Sequence, residues 1–576
     1  MSIHYDVSGI KTWISPKIQN QGVNSQKPVQ KPSVSQVIEQ KLPRISADLA
    51  LATLCKQPVS NLKNSTKNSD KVAPQTENPM MSQTMQAGKK GNVTSIFYVN
   101  DIHGRLSNME RITTASADFD RLMPTYVDKL KLSAGDIMLG SNVNVNKAAN
   151  SFLNANNFMA SVVGNHEVDQ NMGDFLASTK NALYKIMGSN AEMDKSHKLY
   201  NRIIDSYVQE DSDKNKYGII ALMPFDLAMR SSNKELFDGL EIEQKEETKK
   251  YLQQQIDEYK EQGVNRIIVL SHIGYENDVD IANSVEGIDI IVGGHSHDLV
   301  EDVSVGENLI ISKKTGAPTV ITQAGRDGNY YGILNVEFND DDEIVKAENI
   351  VKSTASLERS KKMSAQFNKI LGKPEIIGKI KSSEPAPTNN LKELNPHVSM
   401  LADAMRQKFN TDIALVNAGT VRGTFTQGEI SSRDIGEIFP FADKIALVNV
   451  SEKELVETLK YSATSMAQKD GKPGLVQVSG MKYSVSKDGE LVNLFITDKN
   501  GKDVLIDINN PDENKNYSMA LPGFIAKGLD GFTMLNKAED ASTKFVDTTL
   551  KDTAVEYIKN APDGVEIKND GRIKIV

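Results

Sequence analysis

The stretch Thr94-Ser95-Ile96-Phe97-Tyr98-Val99-Asn100-Asp101-Ile102-His103-Gly104 decides how the chain reads. Thr94 to Val99 is rich in β-branched and aromatic residues and predicts a buried strand. It stops at Asp101 and His103, a carboxylate and an imidazole two residues apart, with Gly104 permitting a sharp turn. The arrangement recurs four times downstream. Leu130 to Leu132 precedes Gly135-Asp136, and Phe158 to Val163 precedes Gly164-Asn165-His166-Glu167. Arg266 to Leu270 precedes Ser271-His272, and Ile288 to Val292 precedes Gly293-Gly294-His295-Ser296-His297. Short apolar runs with helical stretches between them, such as Thr248 to Glu261, define strands of an α/β layer. Open α/β sheets place their sites at the carboxyl ends of strands, where all five segments fall.

Of the eight histidines in the chain, five lie in these segments, so they are not scattered as surface filler. A lone Asp-x-His or Gly-Asp is more often an ordinary loop; five such segments in order point to a metal site. Asp101, His103, Asp136, Asn165, His272, His295 and His297 offer mixed nitrogen and oxygen donors. Such sets suit Zn, Mn, Fe or Co better than Ca. The lack of thiolates argues against a structural zinc site.

A length of 576 residues predicts two or three domains. A charged fraction of 25% beside a hydrophobic fraction of 39% fits a soluble globular protein. The net charge of -9 weighs against a nucleic-acid-binding surface. Cys55 is the single cysteine, which excludes an internal disulfide. No apolar run approaches the ~18 residues of a membrane helix, so no membrane span is expected. Met1 to Lys17 lacks a basic region followed by an apolar core, so no ordinary signal peptide is read. Ile45 to Leu54, which contains Asp48, reads as a brief amphipathic helix.

Residues 1–92 are rich in Gln, Asn, Ser, Lys and Pro and are expected to be disordered. A first domain spans 93–352, closed by strands at Thr319 to Gln323 and Tyr331 to Phe338. A polar helix and a linker ending in Ser382-Ser383-Glu384-Pro385-Ala386-Pro387 fill 353–387. A second domain spans 388–576, with strands at Asp412 to Val416, Lys444 to Val450, Val476 to Val485 and Leu491 to Ile496. Ser451 and Glu454 form a capping-box signature within it.

The five segments resemble the calcineurin-like metallophosphoesterase superfamily, and their order and form resemble its 5'-nucleotidase branch, which includes UDP-sugar hydrolases and cyclic-nucleotide phosphodiesterases. The resemblance runs from about residue 93 to 560. It implies an α/β fold: a four-layer α/β/β/α catalytic domain, then a smaller α+β substrate-binding domain. It implies two divalent metal ions as cofactors. Asp101, His103 and His297 would hold one, and Asn165, His272 and His295 the other, with Asp136 bridging both. Relatives often carry Gln at the position of His297. His166 would face the phosphoryl group as a catalytic residue, oriented by Asp169. Two cations lower the pKa of a bridging water, and the hydroxide so formed would attack phosphorus in line.

Asn417-Ala418-Gly419-Thr420-Val421-Arg422-Gly423 is similar to the family's Asn-Gly-Gly-Gly-Ile-Arg segment. By that resemblance Arg422 contacts phosphate, for which its planar fork is suited, and Asn417 contacts the nucleoside. Phe439-Pro440-Phe441 and Phe524 with Asp530-Gly531-Phe532 resemble the family's base and ribose segments. Phe441 and Phe524 would sandwich the base, and Asp530 would bind ribose; stacking tolerates any base. This chain departs from the family at Lys392, which stands in for an Arg, at Ser399, which stands in for an Asn, and at Ala418 and Thr420 in the glycine-rich segment. The leading reading is a 5'-nucleotidase acting on nucleoside monophosphates. The alternatives are a 2',3'-cyclic-nucleotide phosphodiesterase, a UDP-sugar pyrophosphohydrolase, or a non-catalytic binding protein that keeps the fold. The family implies that the second domain swings on the Ser353 to Leu371 helix. Its members are mostly periplasmic or extracellular; with no signal read here, a cytoplasmic location stays open.

Overall fold

Two sheets face each other in the first domain of the computed structural model. The structure describes residues 2–5, 11–15, 78–88, 91–139, 142–168, 172–211, 213–230, 234–387, 391–421, 423–439, 443–468 and 473–576. Asp169, Arg422, Phe441, Cys55 and the helix read at Ile45 to Leu54 lie outside the described residues. One sheet has eight strands in the order Ser2–Tyr5, Lys11–Ile14, Ile344–Ser353, Tyr330–Phe338, Val93–Val99, Asp128–Ser133, Ala160–Val162 and Lys185–Met187. Its last four run parallel. The other has six, in the order Leu309–Ile311, Pro318–Thr322, Ile290–Val292, Arg266–Ser271, Lys216–Leu222 and Ser206–Glu210.

Strand alternation sorts the side chains into layers. Tyr98 points at the second sheet: its hydroxyl bonds the hydroxyl of Thr322 and donates to Asn349 Oδ1 at 3.0 Å. Its neighbour Phe97 points the other way, with its ring 5.5 Å from that of Phe119 on the helix Leu106–Leu122. On the far face of the second sheet, Ile220, Val269 and Ile291 pack with Leu252 and Ile256 of the helix Lys245–Glu261. The layers are therefore helix, sheet, sheet and helix. Each strand that precedes a metal-type segment lies in one of these sheets, so their carboxyl ends converge along one rim.

The disorder expected over 1–92 does not hold throughout. Ser2–Tyr5 and Lys11–Ile14 form an antiparallel hairpin that adds to the edge of the eight-stranded sheet, with Trp13 opposite Ala347 and Thr12 opposite Glu348. Trp13 is buried. The Glu348 carboxylate accepts bonds from Thr12 Oγ1, Ser82 N and Asn335 Nδ2 at 3.3, 3.0 and 2.8 Å. Thr12 and Ser82 are 336 and 266 positions from Glu348, and local composition carries no trace of such partners.

The linker expected over 353–387 also differs. Its helix is Lys361–Leu371, but Ile376–Ser383 is a strand, paired antiparallel with Gly428–Ser431 and parallel with Val565–Ile567. The second domain's structure therefore begins at Ile376. It also contains a five-stranded sheet in which Ile413–Val416, Asn516–Pro522 and Lys444–Ser451 are neighbours, and the Ser451–Glu454 capping box is formed.

The domains meet at the amino end of the helix Leu106–Leu122. Glu437, on the helix Ser432–Ile438, accepts from Ser107 N at 3.1 Å and Ser107 Oγ at 2.6 Å, capping that helix from the other domain. Arg105 donates to the Glu437 carbonyl, and Arg359 pairs with Asp434 at 2.7 Å. Burial at this junction pushes the Glu437 carboxyl up to about 6, with the Asp434 charge adding and Ser107 and Arg105 opposing. A carboxyl raised by docking stabilises the docked form below its ordinary pKa and loses that contribution as pH rises through about 6. Domain docking is therefore expected to weaken as pH rises from 4.5, the ordinary value, through about 6. Fluorescence transfer between one label on each domain checks this, and Glu437→Gln should flatten the pH response.

Candidate metal centre

Five of the seven metal-type residues adopt left-handed backbone that non-glycine residues rarely take: Asp101 at φ 49°, His103 at 51°, Asp136 at 51°, His295 at 77° and His297 at 67°. Each follows a strand by a few residues, and the positive φ turns its side chain back across the strand end. Such strain persists where the surroundings over-determine it, as they do at functional sites.

These turns bring the residues together. His103 Nε2 lies 3.8 Å from Asp101 Oδ1 and 3.6 Å from Asp136 Oδ2. His297 Nε2 lies 3.4 Å from Asp101 Oδ1, and His272 Nε2 lies 3.1 Å from Asp136 Oδ2. Nδ1 of His295 stands 3.1 Å from Asn165 Oδ1. Two three-residue groups have donor atoms close enough to share an ion: Asp101 with His103 and His297, and Asp136 with His272 and His295. Asp136 also groups with His103 and His166, so it stands between the two.

The donor set fits cations. Nδ1 of His272 donates to the Ala134 carbonyl at 2.6 Å, which leaves the Nε2 lone pair facing the carboxylates. Nε2 is buried and faces Asp136 Oδ2 at 3.1 Å. A lone pair aimed at carboxylate oxygens is repulsive unless a proton or a metal lies between them. Burial opposes a charged His272, but Asp136 and Asp101 outweigh it and push the imidazole up to about 10. His103 is likewise lowered by burial but raised further by Asp136 and Asp327, to about 10.

Surrounding residues aim this set. Asn100 donates to Asp101 Oδ2 at 2.8 Å and to the Gly325 carbonyl at 2.7 Å. Asp327 Oδ1 lies 3.3 Å from His103 Nδ1, and Asp226 Oδ1 lies 3.2 Å from His295 Nε2. Outer carboxylates of this kind fix ring orientation and tautomer. Glu167 organises the backbone: Oε2 accepts from Asp136 N and Gly164 N at 2.9 Å each, and Oε1 from Ile137 N and Met138 N at 2.9 and 3.1 Å. Asp136 Oδ1 accepts from His166 N at 2.8 Å, and the His166 ring meets that of His103 edge-on at 5.0 Å. Gly164 is required here, because a Cβ would stand 2.2 Å from Asp136 Oδ1. Sequence reading assigned no role to Asn100, Glu167, Asp226 or Asp327. Asn100 and Glu167 stood inside the quoted segments, and Asp327 between Gly325 and Gly328, whereas Asp226 had no local signal.

In the second domain, Asn417 Nδ2 stands 3.4 Å from Asp530 Oδ2, and Phe524 is 39% exposed, enough for a ring to receive a base. Lys392 donates to the Gln468 carbonyl at 3.0 Å, so its ammonium closes a helix end. Ser399 is buried and bonds Gln477 Oε1 at 3.2 Å.

Metal-type donors therefore stand at the strand ends of a four-layer α/β/β/α domain, the arrangement that the sequence resemblance implied. Residues 94–299 match the family described as calcineurin-like phosphoesterase, and residues 376–537 match the 5'-nucleotidase C-terminal domain. The chain thus carries a calcineurin-like phosphoesterase domain followed by a 5'-nucleotidase C-terminal domain, and these matches with the metal-type donors support a metal-dependent phosphoester hydrolase. It is 24% identical over 535 residues to the trifunctional nucleotide phosphoesterase protein YfkN of Bacillus subtilis, covering 84% of this chain and 35% of that protein. The chain thus spans about a third of that relative's length. It is 24% identical over 504 residues to the snake venom 5'-nucleotidase of Naja atra, covering 77% of this chain and 91% of that one. Among solved structures, the 5'-nucleotidase precursor of Thermus thermophilus superposes with a TM-score of 0.55 at 22% identity, over 84% of this chain and 99% of that one. That likeness shows the shared fold. No helix among the described residues is long and apolar enough to cross a membrane.

Proposed function

We propose that the chain is a 5'-nucleotidase that releases phosphate from nucleoside 5'-monophosphates with two divalent ions. The observation that carries this reading is the position of Asp136 between two separate donor groups, in a chain that also carries the 5'-nucleotidase C-terminal domain. When bound, the ions supply Lewis acidity and an activated water. Asp101, His103 and His297 would hold one, Asn165, His272 and His295 the other, and Asp136 both. His166, whose backbone N–H donates to Asp136 Oδ1 at 2.8 Å, would donate from its ring to a phosphoryl or leaving oxygen. Asp169 is assigned to orient that ring. Phe524 and Phe441 would stack the base, Asp530 and Asn417 would bind the sugar, and Arg422 would pair with phosphate. Lys392 drops out of this proposal because its ammonium is engaged at a helix end.

Phosphate release tests the reading. Chelated protein is assayed with nucleoside 5'-monophosphates, 2',3'-cyclic nucleotides and UDP-sugars, before and after Zn, Mn, Co or Fe is returned. The expected result is loss of nearly all activity on chelation and recovery on 5'-monophosphates first. Faster turnover of cyclic nucleotides or UDP-sugars would replace the nucleotidase reading with a diesterase one. Full activity after exhaustive chelation would overturn the role of metal.

A further inference from the structure

Thr420, where the family has glycine, hydrogen-bonds the side chain of Asn417. Its Oγ1 donates to Asn417 Oδ1 at 2.5 Å. With its oxygen occupied, the amide turns its NH2 toward Asp530 Oδ2, 3.4 Å away. Asp530 is held from the other side. It sits in left-handed backbone, φ 54° and ψ 23°, inside a 3-10 turn at Leu529–Gly531. Tyr461, on the helix Glu452–Ala467, donates its hydroxyl to the Asp530 carbonyl at 3.0 Å. The hydroxyl reaches that carbonyl only because residue 531 is glycine, since a Cβ there would stand 2.0 Å from the Tyr461 oxygen. The Tyr461 ring meets Phe532 edge-on at 5.1 Å, and Phe532 is wholly buried in the domain core. A rigid helix and a packed ring thus hold a loop backbone that would otherwise relax out of the left-handed region.

The result is an N–H donor and a carboxylate acceptor side by side. A hydroxyl group complements such a pair, because it accepts from the one and donates to the other. We propose that Tyr461 and Thr420 are positioning residues that preset Asn417 Nδ2 and the Asp530 carboxylate to recognise a sugar hydroxyl of the substrate. This rests on the 5'-nucleotidase reading above, and it goes beyond it by tying sugar selectivity to two residues that need not touch the ligand.

The test uses metal-loaded full-length protein and the variants Tyr461→Phe, Thr420→Val and Asp530→Ala. Tyr461→Phe keeps the ring against Phe532 and removes only the hydroxyl. Kinetic constants are measured on a ribonucleoside 5'-monophosphate and on its 2'- and 3'-deoxy analogues. The inhibition constant of inorganic phosphate serves as the sugar-free probe. Losing one hydrogen bond should raise KM for the ribonucleotide about 3- to 10-fold in Tyr461→Phe and in Thr420→Val. Turnover number and phosphate inhibition should stay within about twofold, and preference for ribo- over deoxy-substrates should shrink. If Asp530→Ala raises KM while Tyr461→Phe and Thr420→Val do not, the inference is overturned and the nucleotidase reading stands. If the ribonucleotide is not hydrolysed, or Asp530→Ala leaves its KM unchanged, the reading itself fails and takes the inference with it. Equal losses against nucleotide and phosphate would assign both residues a general structural role and overturn the proposal.

Discussion

Asp136→Ala is expected to lower turnover by about 1,000-fold or more while leaving the fold in place. A metal site contributes several kcal/mol of charge stabilisation in the transition state, and each 1.36 kcal/mol is tenfold in rate. Asp136 stands between both donor groups, so its loss weakens two positions rather than one. It also releases His166, whose backbone N–H it accepts at 2.8 Å. The carboxylate is held well below its usual range: burial opposes ionisation, and His272 and His103 outweigh it. Removing it takes one ligand from both donor groups, so metal content should fall with turnover. Steady-state phosphate release, metal analysis and far-ultraviolet dichroism check the three parts together. Activity within tenfold of the parent in a protein that still binds metal would sink the assignment.

Glu167→Gln is expected to destabilise the catalytic domain by about 3–5 kcal/mol, although the two side chains are nearly isosteric. Each carboxylate oxygen accepts two buried backbone N–H groups, from Asp136 and Gly164 on one side and from Ile137 and Met138 on the other. Glutamine can serve one pair with its carbonyl. Its NH2 then faces the other pair, donor against donor, in a buried place. An unsatisfied buried donor costs about 1–3 kcal/mol, and two are left here. Urea unfolding measures the loss, and metal affinity should fall with it because the Asp136 loop is no longer held. A loss below about 1 kcal/mol would show that the loop keeps its shape without this carboxylate.

Much of the fold was legible because it is local. The strand before each ligand segment shows in a run such as Thr94 to Val99, where β-branched and aromatic residues leave little choice of structure. The Ser451 capping box was legible for the same reason, since its two partners are three residues apart. The hairpin around Trp13 was not. Its stability comes from an edge strand more than 300 residues away, and the polar residues around it resemble a disordered tail. Ile376–Ser383 was hidden in the same way: it ends in the serines of a linker-like run but pairs with two distant strands.

The sequence by itself determined the chemistry of this protein: which carboxylates, amides and imidazoles stand at strand ends, and hence that they bind hard or borderline cations. Donor type is a property of each residue and needs no fold to be read. Only the tertiary structure decided how those donors are shared and aimed. It sets Asp136 between two groups, turns Asp327 and Asp226 onto the outer nitrogens of His103 and His295, and gathers four backbone N–H groups on Glu167. Most of those partners lie far apart in the chain, and several depend on left-handed backbone that the surrounding packing must enforce.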